Sequence, residues 1–332
     1  MNNKKVVLAT RPNGQPKESD FKVIEEPLPE LGEDQVLLAT EHLSIDAFIR
    51  TTLDGEPGLH GTIELNTPVV ALGVARVVDS RFAGLNQGDA VFGPLGAQTH
   101  VVGPGGMYRK LPEDAVPPRT YLGALGMTTG LTAYAGMIKV GEVEQGDTVV
   151  VSAAAGAVGT MACQLAKIAG ARVIGIAGGT AKAEFLVKEI GCDAAIDYKA
   201  GDVAGQLREA APDGVNVFFD NVGGELLDTV LDQIASGARV VICGAISQYN
   251  QMDTVRGPNL YLRLAERNAS MRGFTVDRFA ADFPEMEASI SGWIAQGKLK
   301  MPEHIVEGIE QFPKALAMLF TGGHMGKLLV AP

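Results

Sequence analysis

Cysteine is scarce in this chain. Its 332 residues hold three, Cys163, Cys192 and Cys243, far apart and in no CxxC pair. That spacing suggests neither a local zinc knuckle nor a disulfide framework. Basic residues are also few, with 28 Lys and Arg against 39 Asp and Glu, a formal net charge of −11. Phosphate-backbone binding needs a basic surface, so nucleic acid is not expected as a general partner and only local basic spots remain. Among the five histidines no Ser–His–Asp hydrolase arrangement stands out. No apolar run of signal-peptide length follows Met1-Asn2-Asn3-Lys4-Lys5-Val6, so the expected compartment is the cytoplasm.

One run lacks charge altogether. Residues 148–166 carry no Asp, Glu, Lys or Arg, and their length approaches a membrane span. Gly and Ala fill the middle and β-branched residues crowd the start, which fits a strand, a turn and a helix better than a lipid-facing helix. No membrane association is expected. The 41 glycines are scattered, without collagen period or low complexity, and no internal repeat is visible.

What is present is enough apolar material for sizeable cores, 46% of the chain, and a length that suggests two domains at about 150 residues each. Residues 1–120 read as a β-rich domain. Short apolar runs at 35–39, 69–78 and 90–92 are punctuated by Gln87-Gly88-Asp89 and Pro104-Gly105-Gly106, the texture of a small barrel. From about 121 to 286 strands and helices alternate. Strands are predicted at 148–151, 172–176, 194–197, 215–219 and 239–242, and helices at 160–169, 182–190, 203–210 and 225–235. Repeated βα units of this length argue a doubly wound parallel sheet. Residues 287–332 change again, with a helix near 312–320 and a last strand, Leu328-Leu329-Val330, expected to return to the N-terminal barrel.

The most informative stretch is Val151-Ser152-Ala153-Ala154-Ala155-Gly156-Ala157-Val158-Gly159. It reads as a strand end, a tight turn and a helix start, with Ala153, Gly156 and Gly159 at AxxGxxG spacing. Gly156 permits close approach of a pyrophosphate and Gly159 close packing of helix on strand. A turn packed tightly for its own sake is the bland alternative. An NAD site usually places an acid about 20 residues past the first glycine. Here the second strand runs into Ala177-Gly178-Gly179-Thr180, with no carboxylate to repel a 2′-phosphate. Lys182 just beyond can supply positive charge, although a lone lysine on a helix is commonly a solvated one. Tyr198 fits the mouth of such a site, or is a partly buried loop aromatic. The cofactor expected is NADP(H).

These segments, with Leu43-Ser44-Ile45-Asp46, Gly130-Leu131-Thr132-Ala133-Tyr134, Ile196-Asp197-Tyr198-Lys199, Phe219-Asp220-Asn221-Val222-Gly223-Gly224 and Cys243-Gly244-Ala245-Ile246-Ser247-Gln248-Tyr249-Asn250, resemble the zinc-independent medium-chain dehydrogenase/reductases. The resemblance is to the leukotriene B4 dehydrogenase/prostaglandin reductase and curcumin reductase group and covers nearly the whole chain. It implies an α/β fold, a Rossmann domain with a GroES-like β-barrel catalytic domain, and a cofactor in the cleft between them. By the same resemblance Gly156, Ala157, Val158 and Gly159 cradle the pyrophosphate, and Gly178, Lys182 and Tyr198 face the 2′-phosphate end. Asn221 sits by the ribose, while Cys243, Gly244, Ala245, Ile246, Ser247 and Tyr249 run along the nicotinamide half. Phe274, Thr275 and Val276 approach from a later loop, and a homodimer is implied.

Three departures stand out. Asp46-Ala47-Phe48-Ile49-Arg50 replaces the family's Asp-Pro-Tyr-Met-Arg. The segment 126–130 is one residue longer than usual near the expected carboxamide site. His324 stands where the family has Asn, either as a hydrogen-bond donor to the cofactor or as a surface histidine. The Gly-His-Glu zinc motif is missing, with Ala71-Leu72-Gly73-Val74-Ala75 in its region, and the four-Cys loop is absent. No metal is therefore expected.

Without a Lewis acid the fitting reaction is hydride addition to an activated double bond. An α,β-unsaturated aldehyde or ketone is the expected small-molecule substrate, with hydride delivered to the β-carbon. Tyr249 is the candidate catalytic and substrate-facing hydroxyl, or a gating tyrosine. Arg50 either lines the substrate pocket or pairs with a carboxylate. An NADPH quinone reductase and a catalytically idle NADPH-binding protein are the alternatives.

Overall fold

The computed structural model describes residues 2–56, 58, 60–112 and 116–332. The chain forms two compact units. One takes the residues up to Leu122 with Glu303–His324 and Leu328–Pro332, and the other takes Gly123–Pro302 with Met325–Lys327. Met1, Pro57, Leu59 and residues 113–115 lie outside the described residues.

In the first unit β1 (Asn2–Leu8) pairs antiparallel with β2 (Phe21–Pro27). The long strand β3 (Gln35–Ser44) has β4 (Leu72–Ser80) beside it, followed by β5 (Ala90–Pro94); β6 (His100–Pro104) also pairs with β3, and β7 (Arg109–Lys110) with β5. Alternate residues of these strands point inward, as the two-residue period demands. Val36, Leu38, Leu43, Val91 and Leu95 are fully or almost fully buried in the core they share. The apolar run at 69–78 enters the sheet at Leu72, because Val69 instead donates its N–H to Val6 O across a loop (3.0 Å).

The second unit is a doubly wound sheet. Its strands are β8 (Thr148–Val151), β9 (Arg172–Ala177), β10 (Ala194–Asp197), β11 (Val215–Asp220), β12 (Ile234–Ile242) and β13 (Ser270–Gly273), in the order β10-β9-β8-β11-β12-β13 and parallel throughout. Strands buried on both faces need no alternation, which is why Thr148-Val149-Val150-Val151 reads as a continuous apolar run. The helix α1 (Ala157–Ile168) follows β8 and is buried over most of its length. That burial accounts for the charge-free stretch, and no helix among the described residues is long and apolar enough to cross a membrane.

The remaining helices used below are α2 (Thr180–Phe185), α3 (Val203–Ala210) and α4 (Gly224–Leu231). In this unit α1 begins at Ala157 rather than 160, the last predicted helix and strand change bounds, and β13 is unexpected. The helix expected to 235 stops at Leu231, and β12 begins at Ile234 rather than Arg239. Gly237, at φ 76°, interrupts that strand and hides its first half from a pattern search. β13, Ser-Met-Arg-Gly, has a single large apolar side chain and no sequence signal at all.

The chain returns through β14 (Glu303–Glu307) and α5 (Phe312–Thr321) to β15 (Lys327–Ala331). Leu329 and Val330 pair antiparallel with Ser44 and Leu43 of β3. Rossmann sheet and antiparallel partner are the α/β architecture expected from sequence.

Candidate cofactor site

All the candidate positions of the Rossmann unit lie where a parallel strand ends. The glycine turn follows β8, Gly178 follows β9, Tyr198 follows β10, Asn221 follows β11, Cys243 follows β12 and Phe274 follows β13. Ligands of open α/β sheets bind outside this carboxyl edge, where the strand order reverses. The reversal lies at β8, which has β9 on one side and β11 on the other.

The turn after β8 is built from backbone. Ala153 takes a left-handed conformation, φ 47°, at a cost of roughly 1–2 kcal/mol for an L-residue. Ala154 N–H donates to Ile176 O (3.0 Å) and Gly156 N–H to Ala153 O (2.9 Å), which closes the turn. Gly159 has no room for a side chain: a Cβ would run into Ala153 O and lie 2.7 Å from Ala154 Cα. A Cβ on Gly156 would meet only Ala153 O, at 3.2 Å, so open space lies in front of it. Gly156 caps α1 without a side-chain acceptor, and the helix's first amides are therefore available to an anion.

At the next strand end the predicted gap in acids is real, and its consequence is visible. Gly178 lies under the Tyr198 ring, where a Cβ would come within 2.6 Å of Cζ, and the ring itself is 50% exposed. Asp197 arrives from β10 and turns inward, accepting from Gly179 N–H (2.6 Å) and Lys199 N–H (2.9 Å). Lys182, on the first turn of α2, has no carboxylate partner among the described residues. Burial, and then the charge of Lys199, hold its pKa below the usual lysine value. A half-buried ammonium beside a second cation is a place for an anion.

Around Asn221 the loops are joined by one buried carboxylate. Asp220 accepts from Ser152 Oγ (2.8 Å), Val222 N–H (2.9 Å) and Gly223 N–H (3.1 Å). Burial nonetheless raises its pKa. Ser152 Oγ in turn accepts from Asn221 N–H (2.8 Å), and Asn221 Nδ2 donates to Ser152 O (2.7 Å), so the side chain of Asn221 is fixed. The loop carrying Cys243 is tied to the same strand end: Cys243 and Gly244 N–H donate to Asp220 O, Ile246 N–H to Asn221 O and Ser247 Oγ to Val222 O. Tyr249 folds back over this loop, its hydroxyl accepting from Ala245 N–H (3.2 Å). Burial above all, with the neighbouring Asp220 adding to it, raises the phenol's pKa above 10. Phe274 is half-buried against Gly136 and edge-on to Phe279 (6.3 Å), while Thr275 is exposed and Val276 half-buried.

Cys243 is a thiol that stays a thiol. Burial and the neighbouring Asp220 push its pKa up to about 12. Each pKa unit lowers the thiolate fraction tenfold, so alkylation of Cys243 by iodoacetamide at pH 8 is expected to be about a thousandfold slower than that of an unperturbed thiol. Mass-spectrometric mapping of the native and unfolded protein checks this; rapid native labelling of Cys243 would contradict it.

Two candidates lie in the other unit. Arg50 is 2% exposed, and its guanidinium donates to Gly14 O (3.1 Å) and pairs with Asp54 (2.8 Å). His324 is 8% exposed and so is not a surface histidine. Close to Arg50 in sequence, Phe48 packs on His60 (5.2 Å) and Thr51 Oγ1 bonds His60 Nδ1 (3.0 Å). Among the described residues no cluster of three or more His, Cys, Asp or Glu side chains could hold a metal ion. Sequence reasoning missed Ser152, Asp197, Lys199 and Asp220. Asp197 and Asp220 carried the same signal, an acid at the very end of an apolar strand.

Comparison with known proteins agrees with this geometry. Residues 157–292 match the family described as zinc-binding dehydrogenase, and residues 4–111 match the N-terminal domain of oxidoreductase. A putative NADP-dependent oxidoreductase of Bacillus subtilis is 40% identical, over 98% of this chain and 96% of that protein. The NADPH-dependent curcumin reductase of Escherichia coli is 33% identical, over 99% and 96%. The NADP(+)-dependent 2-alkenal reductase of Nicotiana tabacum is 35% identical, over 99% and 97%. Among solved structures, CurA from Vibrio vulnificus in complex with NADPH superposes with a TM-score of 0.94 at 35% identity, over 99% of this chain and 98% of that one.

Proposed function

We propose, for a chain that belongs to the zinc-independent medium-chain dehydrogenase/reductases, reduction of the C=C bond of α,β-unsaturated aldehydes and ketones. The protein is an NADPH-dependent oxidoreductase of the group that includes curcumin, 2-alkenal and prostaglandin reductases. The uncapped start of α1, the open space at Gly156 and Lys182, which has no carboxylate partner among the described residues, fit a dinucleotide with a third phosphate. In this reading the amides of Ala157, Val158 and Gly159 hold the pyrophosphate, which approaches over the bare Cα of Gly156, and Lys182 and Tyr198 hold the 2′-phosphate beside Gly178. Asn221 holds the ribose. Residues 243–247, Phe274, Thr275, Val276 and His324 flank the nicotinamide half.

Bound NADPH would supply the hydride that adds to the β-carbon of the conjugated carbonyl, and a proton taken up at the α-carbon would complete the saturated product. The chain's own contribution is to orient, to exclude water and to meet charge at the carbonyl oxygen. One observation carries the reading. The Tyr249 oxygen accepts an amide N–H, which leaves its O–H to donate elsewhere, and its raised pKa keeps that proton in place. A neutral phenol aimed at a developing oxyanion needs no metal. Arg50, fixed by Gly14 and Asp54, belongs to the floor of the substrate pocket in this proposal. The cytoplasm as compartment and a homodimer as assembly are parts of it too.

Steady-state turnover of an enone and enal panel with NADPH, with products identified by mass spectrometry, tests the function. Saturated aldehydes and ketones are expected. Preferential turnover of quinones without a saturated ketone would assign a quinone reductase instead. Tight NADPH binding with no oxidation across both panels would assign an idle binding protein.

A further inference from the structure

Lys327 is 0% exposed, among the largest fully buried side chains of the protein. It ends the segment Met325–Lys327, which belongs with the Rossmann unit although the residues on either side belong to the other. The backbone of this segment is pinned. Gly326 N–H donates to Ala155 O (2.9 Å) and Lys327 N–H to Pro302 O (2.8 Å), and Gly326 forms a parallel bridge with Gly156. Gly326 itself is at φ 69°, and a Cβ there would run into Pro302 O. The tripeptide is thus held directly on the glycine turn.

Its side chain reaches a different element. Lys327 Nζ donates to Thr129 Oγ1 (3.2 Å), and Thr129 is also 0% exposed. Thr129 is the centre of the wide π-type turn Met127–Leu131. One extra residue in a helical segment is absorbed as such a turn, and turns of this kind recur at functional sites. The Met127–Leu131 turn overlaps the segment 126–130, which by resemblance is one residue longer than usual in the family. The turn is packed closely, with Gly130 N–H on Gly123 O (3.1 Å) and Leu131 N–H on Gly126 O (3.1 Å). A Cβ on Gly130 would strike Ala124 O. Burying an ammonium is costly, so an apolar side chain of the same length would serve packing better. The charge therefore serves something besides packing.

We propose that Lys327 is a positioning residue, which locks the Met127–Leu131 turn to the glycine turn so that both ends of the bound dinucleotide are held in one register. This rests on the reading that a dinucleotide lies along both turns. Gly326 rests on the turn proposed to hold the pyrophosphate, and Nζ holds the turn that the family resemblance puts near the carboxamide. A ligand held at two points is sensitive to their relative placement, and a displacement of about 1 Å is enough to lower the rate a hundredfold.

The test uses Lys327→Met and Thr129→Val in the full chain, with three readouts. Without cofactor, amide exchange at Gly130 and Leu131 should be about tenfold faster in both variants, while amides of α3 are unchanged. With NADPH, the fluorescence of the bound nicotinamide should fall, and NADPH should still be preferred over NADH as in the unmodified protein. With any substrate the unmodified protein reduces, kcat should fall about tenfold with little change in KM for NADPH, and the double variant should be no worse than either single one. If Lys327→Met fails to fold, Thr129→Val decides. Wild-type exchange and nicotinamide fluorescence in the folded variants overturn the proposal, as do losses that multiply in the double variant. Failure of the unmodified protein to bind NADPH would instead refute the cofactor reading, and failure to reduce enones the substrate reading; the exchange arm stands apart from both.

Discussion

Replacing Lys182 with alanine is expected to lower kcat/KM for NADPH about a hundredfold while leaving NADH nearly unchanged. The magnitude follows from a charge-assisted contact of roughly 1.5–3 kcal/mol, with about 1.4 kcal/mol for each factor of ten. Lys182 is half-buried, lacks a carboxylate partner among the described residues, and has the second cation Lys199 nearby. That environment disfavours the ammonium in the free enzyme, and a 2′-phosphate reverses the penalty.

The sign of the pH dependence follows. The Lys182 ammonium is lost as pH rises through a value below 10.5. KM for NADPH should therefore climb on the alkaline side earlier than for an unperturbed lysine, and KM for NADH should not follow. Lys182→Arg, which keeps the charge, should restore most of the preference. Equal losses with both cofactors would show that Lys182 does not read the 2′-phosphate.

Tyr249→Phe is expected to reduce kcat by about a hundredfold or more, the usual effect of removing one donor to a developing oxyanion. NADPH affinity should change little, because the residues proposed to hold the phosphates lie on other strand ends. A split between kcat and KM distinguishes this from a loop that has collapsed. The variant also leaves Ala245 N–H without its acceptor, so a drop of about 1–3 kcal/mol in stability accompanies it. The phenol's pKa is raised above 10, so the unmodified enzyme should keep its donor until the pH passes that range, and the alkaline fall in kcat due to Tyr249 should vanish in the phenylalanine variant. Unchanged kcat in Tyr249→Phe would assign the hydroxyl to the loop alone.

The sequence was most legible where chemistry is local. The glycine turn is decided within seven residues, since the close packing of Gly159 on Ala153 and Ala154 is a property of that turn itself. The missing acid after β9 was equally plain. Harder to see was Asp197, which comes from the neighbouring strand and spends its carboxylate on backbone amides. Asp220 was visible as a letter in a motif, but its role depends on Ser152, 68 residues away. Lys327 and Thr129 are 198 residues apart, and no periodicity connects them. β12 was half hidden by a glycine at positive φ, and β13 by having almost nothing apolar to show. Local rules found the turns proposed to meet a ligand; the buried groups that hold those turns in place came only from the fold.

The crossing of the chain's last segment between units has a consequence in time. During synthesis the Rossmann sheet can form its six strands early, yet its glycine turn lacks Gly326 until nearly all of this sequence has left the ribosome. The antiparallel unit likewise waits for β15 to lie against β3. Closure of such distant pairs is slow relative to local contacts. Both units are therefore completed by neighbouring residues, Gly326 for the glycine turn and Leu329 and Val330 for the edge of β3, and a nascent chain that lacks them has an unfinished turn and an open sheet edge together.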